Sequence, residues 1–133
     1  MKQLILIVSI ALLSFKVSAQ ANVIASKDAG KHINENVTVT GKIFGSKYFA
    51  ANNMVLLDMD GYNPNQKLTI MISAAHDGKF KDKPEEFYKG KDITVTGTVI
   101  SYKDKPEIAV TDPMQIKVVM SDNLVKPAFN IKN

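Results

Sequence analysis

The chain has 133 residues, no cysteine and a formal net charge of +4, with 17 basic residues against 13 acids. A chain of this length suits one domain with a single core, and without cysteine it has neither disulfides nor thiolate metal ligands. All of its basic residues are lysine, so the planar fork that arginine offers to phosphate and carboxylate is absent.

At the N-terminus, Lys2 precedes an apolar run from Leu4 to Phe15, and Val17-Ser18-Ala19 forms a small-residue cleavage site. This is the pattern of a secretory signal peptide. The run covers 12 residues (4 through 15), short of the roughly 20 that span a bilayer. The pattern predicts a signal peptide at 1–19, a domain at 20–120 and a polar, flexible tail at 121–133. It predicts export to the periplasm or beyond, with no stable membrane anchor after cleavage. Loss of Lys2 and Lys16 would make the working protein only mildly basic. That weakens the case for a strongly basic nucleic-acid surface but is compatible with single-strand binding through stacking and modest charge.

Residues 26–33 read as a short helix with Ser26 as its N-cap. His32, at the end of that piece, reads as packing the helix against the rest of the fold rather than as a ligand. A first strand follows from Asn36 to Phe44, with Val37, Val39 and Ile43 inward, Thr38 and Thr40 outward, and a bend or bulge at Gly41. A loop at 45–53 carries Lys47, Tyr48 and Phe49. A second strand, Met54–Asp58, leads through the turn Asp58–Gln66 to a third, Leu68–Ser73. There Leu68, Ile70 and Ile72 share one face, and Thr69 and Met71 the other. The lysine-rich connector His76–Lys83 leads to a short helix at Lys83–Lys89. Asp82 and Glu85 suggest a capping box, Pro84 fits the first turn and Gly90 the stop.

The fourth strand, Asp92–Ile100, repeats the opening of the first. Val37-Thr38-Val39-Thr40-Gly41 matches Ile93-Thr94-Val95-Thr96-Gly97, 56 positions on. A polar loop, Ser101–Pro106, joins it to a fifth strand, Glu107–Val110, and a short β-like run follows at Lys117–Met120. The order is β-β-β-α-β-β, mainly β with one short helix. That is the order of the OB-fold, a five-stranded, partly open Greek-key barrel. An SH3-like barrel lacks a helix at that place.

The phrases HINENVTVTGKI, PNQKLTIMI and PEEFYKGKDITVTGTVISYKDKPEIAV resemble a bacterial OB-fold group of the anticodon-binding and single-strand-binding type. The resemblance covers roughly residues 25–118, and its motifs are mainly structural. It implies a ligand face across the second and third strands, framed by the first and last loops. On this chain that face comprises Lys47, Tyr48 and Phe49, then Thr69 and Met71, then Tyr102, Lys103 and Lys105. Aromatic rings there could stack bases or sugars while lysines follow a phosphate backbone. The plainer role for the same residues is structural: Phe49 plugging the barrel mouth, Tyr102 covering an edge, and lysines keeping edges from pairing.

No reaction chemistry stands out. His32 and His76 are 44 positions apart, and neither has a partner at metal-ligand spacing. Asp58-Met59-Asp60-Gly61 fits part of a calcium loop, but Leu56 and Lys67 then fall where ligands are needed. Ser73 and His76 lie close without a third group in the sequence to orient the imidazole. Glu85 and Glu86 are adjacent on a helix and point apart. The sequence therefore predicts no catalytic residues, no metal and no cofactor. It predicts a non-enzymatic binding module for single-stranded nucleic acid or a related polyanion. The alternative is an envelope protein-interaction or carbohydrate-binding domain.

Overall fold

The computed structural model describes residues 23–120; the predicted signal peptide at 1–19 and tail at 121–133 lie outside them. The strands are β1 (Val23–Ala25), β2 (Asn36–Phe49), β3 (Met54–Met59), β4 (Leu68–Ile72), β5 (Asp92–Tyr102), β6 (Lys105–Val110) and β7 (Ile116–Val118). One short helix, α1 (Pro84–Phe87), lies between β4 and β5, and 3₁₀ turns occupy Ser26–Lys31 and Pro113–Gln115.

Neighbouring strands run β1-β2-β3-β4-β6-β5-β7, and β2 also pairs with β5. The circuit β2-β3-β4-β6-β5 therefore closes on itself, which removes free edges from the barrel. It is the predicted OB-fold order, with β1 and β7 added. β1 lies parallel to β2 at Thr38–Thr40, and β7 antiparallel to β5 at Ile93–Val95.

Alternation along the strands builds the core. Val55, Leu57 and Met59 of β3 and Leu68, Ile70 and Ile72 of β4 are fully buried, while the residues between them face outward. Ile43, Ile93, Val95, Val99, Ile108 and Val110 complete the interior. Both predicted mid-strand glycines sit where a long strand changes partners. β2 leaves β5 after Lys42 and takes up β3 from Ile43, with a bulge between Ile43 and Gly45. β5 passes from β7 at Val95 to β6 at Val99, with Gly97 between. At Gly41 a methyl group would lie 2.4 Å from Asp60 Oδ2 and 2.6 Å from Met59 Cγ, so glycine is needed there for close approach.

Several local expectations differ. Lys47, Tyr48 and Phe49 are not in a loop, because β2 runs on to Phe49 and pairs Lys47 with Leu56, Tyr48 with Val55 and Phe49 with Met54. The bulge falls at Phe44, and the glycine and serine at 45–46 pair with Asp58 and Leu57 instead of ending the strand. The polar loop 101–106 is a two-residue turn, with Tyr102 opposite Lys105 and both Lys103 (φ 49°) and Asp104 (φ 62°) left-handed. Such a turn matches the twist of a hairpin.

The helix is shorter than predicted and lacks its capping box. Lys83 rather than Asp82 is the N-cap, so Glu85 falls one place short of the capping-box position, no side chain caps the helix, and the Glu85 carboxylate meets His76 instead. Pro84 does occupy the first turn, and Gly90 follows with φ 80°. Ser26 is not an N-cap either: Ala25 holds that position and the Ser26 hydroxyl donates to Asp60. His32 pairs with Glu35 at the surface instead of packing the turn inward, a task done by Ile33.

Candidate nucleic-acid interface

Outward-facing residues of β3, β4 and β6 line one groove of about 630 Å³. Strand register sets its floor in two rungs. Leu56 on β3 lies beside Met71 on β4, which lies beside Ala109 on β6. One step along, Asp58 lies beside Thr69, Thr69 beside Glu107, and Glu107 beside Ile100 on β5. Side chains on a rung project to the same side of the sheet. The β5–β6 hairpin walls one end with Tyr102, Lys103, Lys105 and Pro106, and the β3–β4 connection closes it with Asn63 and Gln66. Lys105 Nζ donates to Pro64 O at 2.8 Å, tying these two walls together.

Five of the eight predicted site residues meet here: Thr69, Met71, Tyr102, Lys103 and Lys105. Tyr102 is 57% exposed and presents its ring to solvent, with Lys103 Nζ 5.4 Å from the ring centroid. Lys47 and Phe49 do not line the groove. Their partners Leu56 and Met54 do, so both project from the same face one strand further out, with Lys47 Nζ 4.9 Å from the Phe49 ring centroid. Tyr48 is turned to the other side. Opposite buried Val55, it packs on the core and stacks on His76, with ring centroids 3.8 Å apart. Strand alternation places consecutive residues on opposite faces, so the three could not act together.

Sequence reasoning missed the polar floor. Asp58, Gln66 and Glu107 all line the groove. Glu107 is 7% exposed, and its burial pushes the carboxyl above the ordinary 4.5, with no cation or hydrogen-bond donor offsetting that effect. Burial also raises Asp58 above 3.8, opposed by a hydrogen bond from the Asn63 backbone N–H. Gln66 Nε2 donates to Thr69 Oγ1 at 3.0 Å, whereas its Oε1 is buried with no partner. The available signal was periodicity: Glu107 precedes buried Ile108 and shares a face with Ala109, and Asp58 alternates with Leu57 and Met59.

A second polar cluster lies away from the groove. His76 Nε2 is 2.8 and 3.0 Å from the two Glu85 carboxylate oxygens. The His76 backbone N–H donates to Asn53 Oδ1 at 3.0 Å, and Tyr48 OH donates to the same oxygen at 3.2 Å. Glu85 is thus the orienting group for His76 that the sequence did not reveal. No third metal-ligating side chain joins it, and among the described residues no group of three or more His, Cys, Asp or Glu side chains is placed to hold a metal.

No family model and no curated protein matches the chain. Among solved structures it is similar to an aspartyl-tRNA synthetase from Leishmania major Friedlin. That likeness has a TM-score of 0.53 and 11% identity over 81% of this chain and 22% of that one. It is also similar to an aspartyl-tRNA synthetase from Entamoeba histolytica, with a TM-score of 0.52 and 15% identity over 77% of this chain and 22% of that one. The chain thus spans under a quarter of the length of these neighbours. At this identity the likeness shows a shared fold.

Proposed function

We propose that the chain is an exported, non-enzymatic OB-fold module that binds single-stranded nucleic acid along the β3–β4–β6 groove. The observation that carries this reading is the hairpin wall. Tyr102 stands exposed at the rim, opposite Lys105 and with Lys103 Nζ near its ring, beside a floor of Leu56, Met71 and Ile100. A base can stack on the ring while the lysines meet phosphate, and Lys47 and Phe49 extend the same face for a neighbouring nucleotide. The neighbours' names, aspartyl-tRNA synthetases, are compatible with a nucleic-acid ligand for this fold, although fold alone does not fix function.

The test is a fluorescence-anisotropy titration with labelled single-stranded DNA and RNA at low and moderate salt. Stacking is worth about 1–3 kcal/mol per base, so Tyr102→Ala should weaken binding roughly 5- to 150-fold. With three lysines engaged, the logarithmic salt slope should be about −2. No binding at low salt, or binding indifferent to both salt and Tyr102, would overturn the reading. One observation favours a second reading: the acceptor-rich floor of Asp58, Gln66 and Glu107 suits the hydroxyl donors of an oligosaccharide stacked on Tyr102. Glycan binding unaffected by salt would establish that alternative.

A further inference from the structure

We infer that the floor of the groove, at Asp58, Gln66 and Glu107, is a subsite for a protonated alkylamine. This goes beyond strand binding at the rim. The Asp58–Thr69–Glu107 rung places two carboxyl groups on one face, with a single strand between them. Gln66 uses its amide N–H on Thr69 Oγ1, leaving Oε1 buried without a donor. What the floor offers is therefore almost entirely acceptors.

The protein's own cations do not meet this demand. Lys105 is committed to Pro64 O at 2.8 Å, and Lys103 Nζ hangs beside the Tyr102 ring. The ion pairs among the described residues, Lys31–Asp28, His32–Glu35 and His76–Glu85, all lie elsewhere. Glu107 is the decisive residue: it lines the cavity with only 7% of its surface exposed, and the desolvation that raises its carboxyl is opposed by no donor or cation. A partly desolvated carboxylate gains from a cation that pairs with it.

A neutral donor would supply hydrogen bonds but leave the negative charge uncompensated. A phosphate would add to it. An ammonium group supplies up to three donors and the opposite charge, and Leu56, Met71 and Ile100 give its alkyl stem an apolar wall. Free diamines and the lysine side chain of a partner share this chemistry.

The experiment is calorimetric titration of the chain with 1,4-diaminobutane, N-acetyl-lysine amide, n-butanol and magnesium chloride, each up to about 10 mM. The expected result is saturable binding of the two amines and none of butanol. Glu107→Gln should weaken amine binding at least about tenfold, since it keeps the shape and removes the charge, and Asp58→Asn should weaken it less. Melting curves will show that both variants fold. Affinity should also fall with decreasing pH, as the carboxyls take up the protons that compete with the amine. Tighter binding of the lysine amide than of the diamine would point to a partner's side chain, and the reverse to a free amine; both support the subsite. No saturable amine binding, equal binding by wild type and Glu107→Gln, or saturation by magnesium alone would overturn it. The oligonucleotide titration is read through Tyr102, so either conclusion can fail while the other stands.

Discussion

The Tyr48 ring lies on the His76 imidazole with centroids 3.8 Å apart and planes 22° from parallel. Tyr48 belongs to β2, whereas His76 begins the connector that leads to α1. The stack, the Glu85 contact and the two hydrogen bonds accepted by Asn53 Oδ1 join β2, the β2–β3 turn, the connector and α1 at one point. The connector is rich in lysine and largely exposed, so few other contacts hold it.

This clasp makes His76→Ala destabilising. An aromatic pair is worth about 0.5–1.5 kcal/mol, and a hydrogen bond to a charged group about 1.5–3. Allowing for solvent at this partly exposed site, the loss should be about 2 kcal/mol, read as a lower denaturant midpoint. His76→Phe keeps a ring for Tyr48 and loses only the Glu85 contact, so it should cost less. Hydrogen exchange should show the excess deprotection confined to residues 76–88. Uniform deprotection across the barrel would mean that His76 is not a local clasp.

Glu107 makes stability depend on pH. Burial raises its carboxyl above 4.5 in the folded chain, so the folded state holds that proton more tightly than the unfolded state does. The resulting stabilisation is fully present below the unfolded value and is lost as pH rises through the raised one. Asp58 acts in the same direction from 3.8. Glu107→Gln resembles the protonated acid at every pH. It should match wild type near about pH 4 and exceed it near about pH 7 by on the order of 1 kcal/mol, or roughly 4–8 °C in Tm. A variant less stable than wild type at neutral pH would show that the ionised carboxylate is well solvated or paired.

Much of the barrel was legible because its signals are local. The alternation in Leu68–Ile72 and the two Val-Thr-Val-Thr-type runs marked strands and their faces, and the two runs pair antiparallel, with Thr38 of the first opposite Thr96 of the second and their hydroxyls 2.8 Å apart. The site was only half legible. Tyr102, Lys103 and Lys105 could be placed because a hairpin carries them. The reach of β2 to Phe49 depends on pairing with β3 and on a bulge, neither of which the glycine-serine step at 45–46 announces. That error put Tyr48 on the wrong face. Glu85 was read as a cap because its spacing from Asp82 fits one, while its true partner, His76, lies nine positions away across the connector. Glu107 passed as an ordinary strand-end acid and Asp58 was weighed only for a calcium loop, since burial is a property of the closed sheet.

The β5–β6 turn provides a prediction that separates scaffold from site. Lys103 and Asp104 both have positive φ, 49° and 62°, a conformation that favours Asn-Gly in two-residue hairpins and costs residues with a larger side chain. Replacing the pair with Asn-Gly should relieve that strain and stabilise the chain by about 0.5–1 kcal/mol, less whatever extra unfolded-state freedom glycine adds. The same double variant removes the Lys103 ammonium beside Tyr102 while leaving the ring and the register with Lys105 unchanged. Oligonucleotide binding should therefore weaken with a salt slope shallower by about 0.7, even as Tm rises. A fall in Tm would mean that the Lys103–Asp104 turn is stabilised by contacts beyond its own backbone. An unchanged salt slope would place the phosphates away from this hairpin, leaving Lys47 and Lys105 as the cations of the interface.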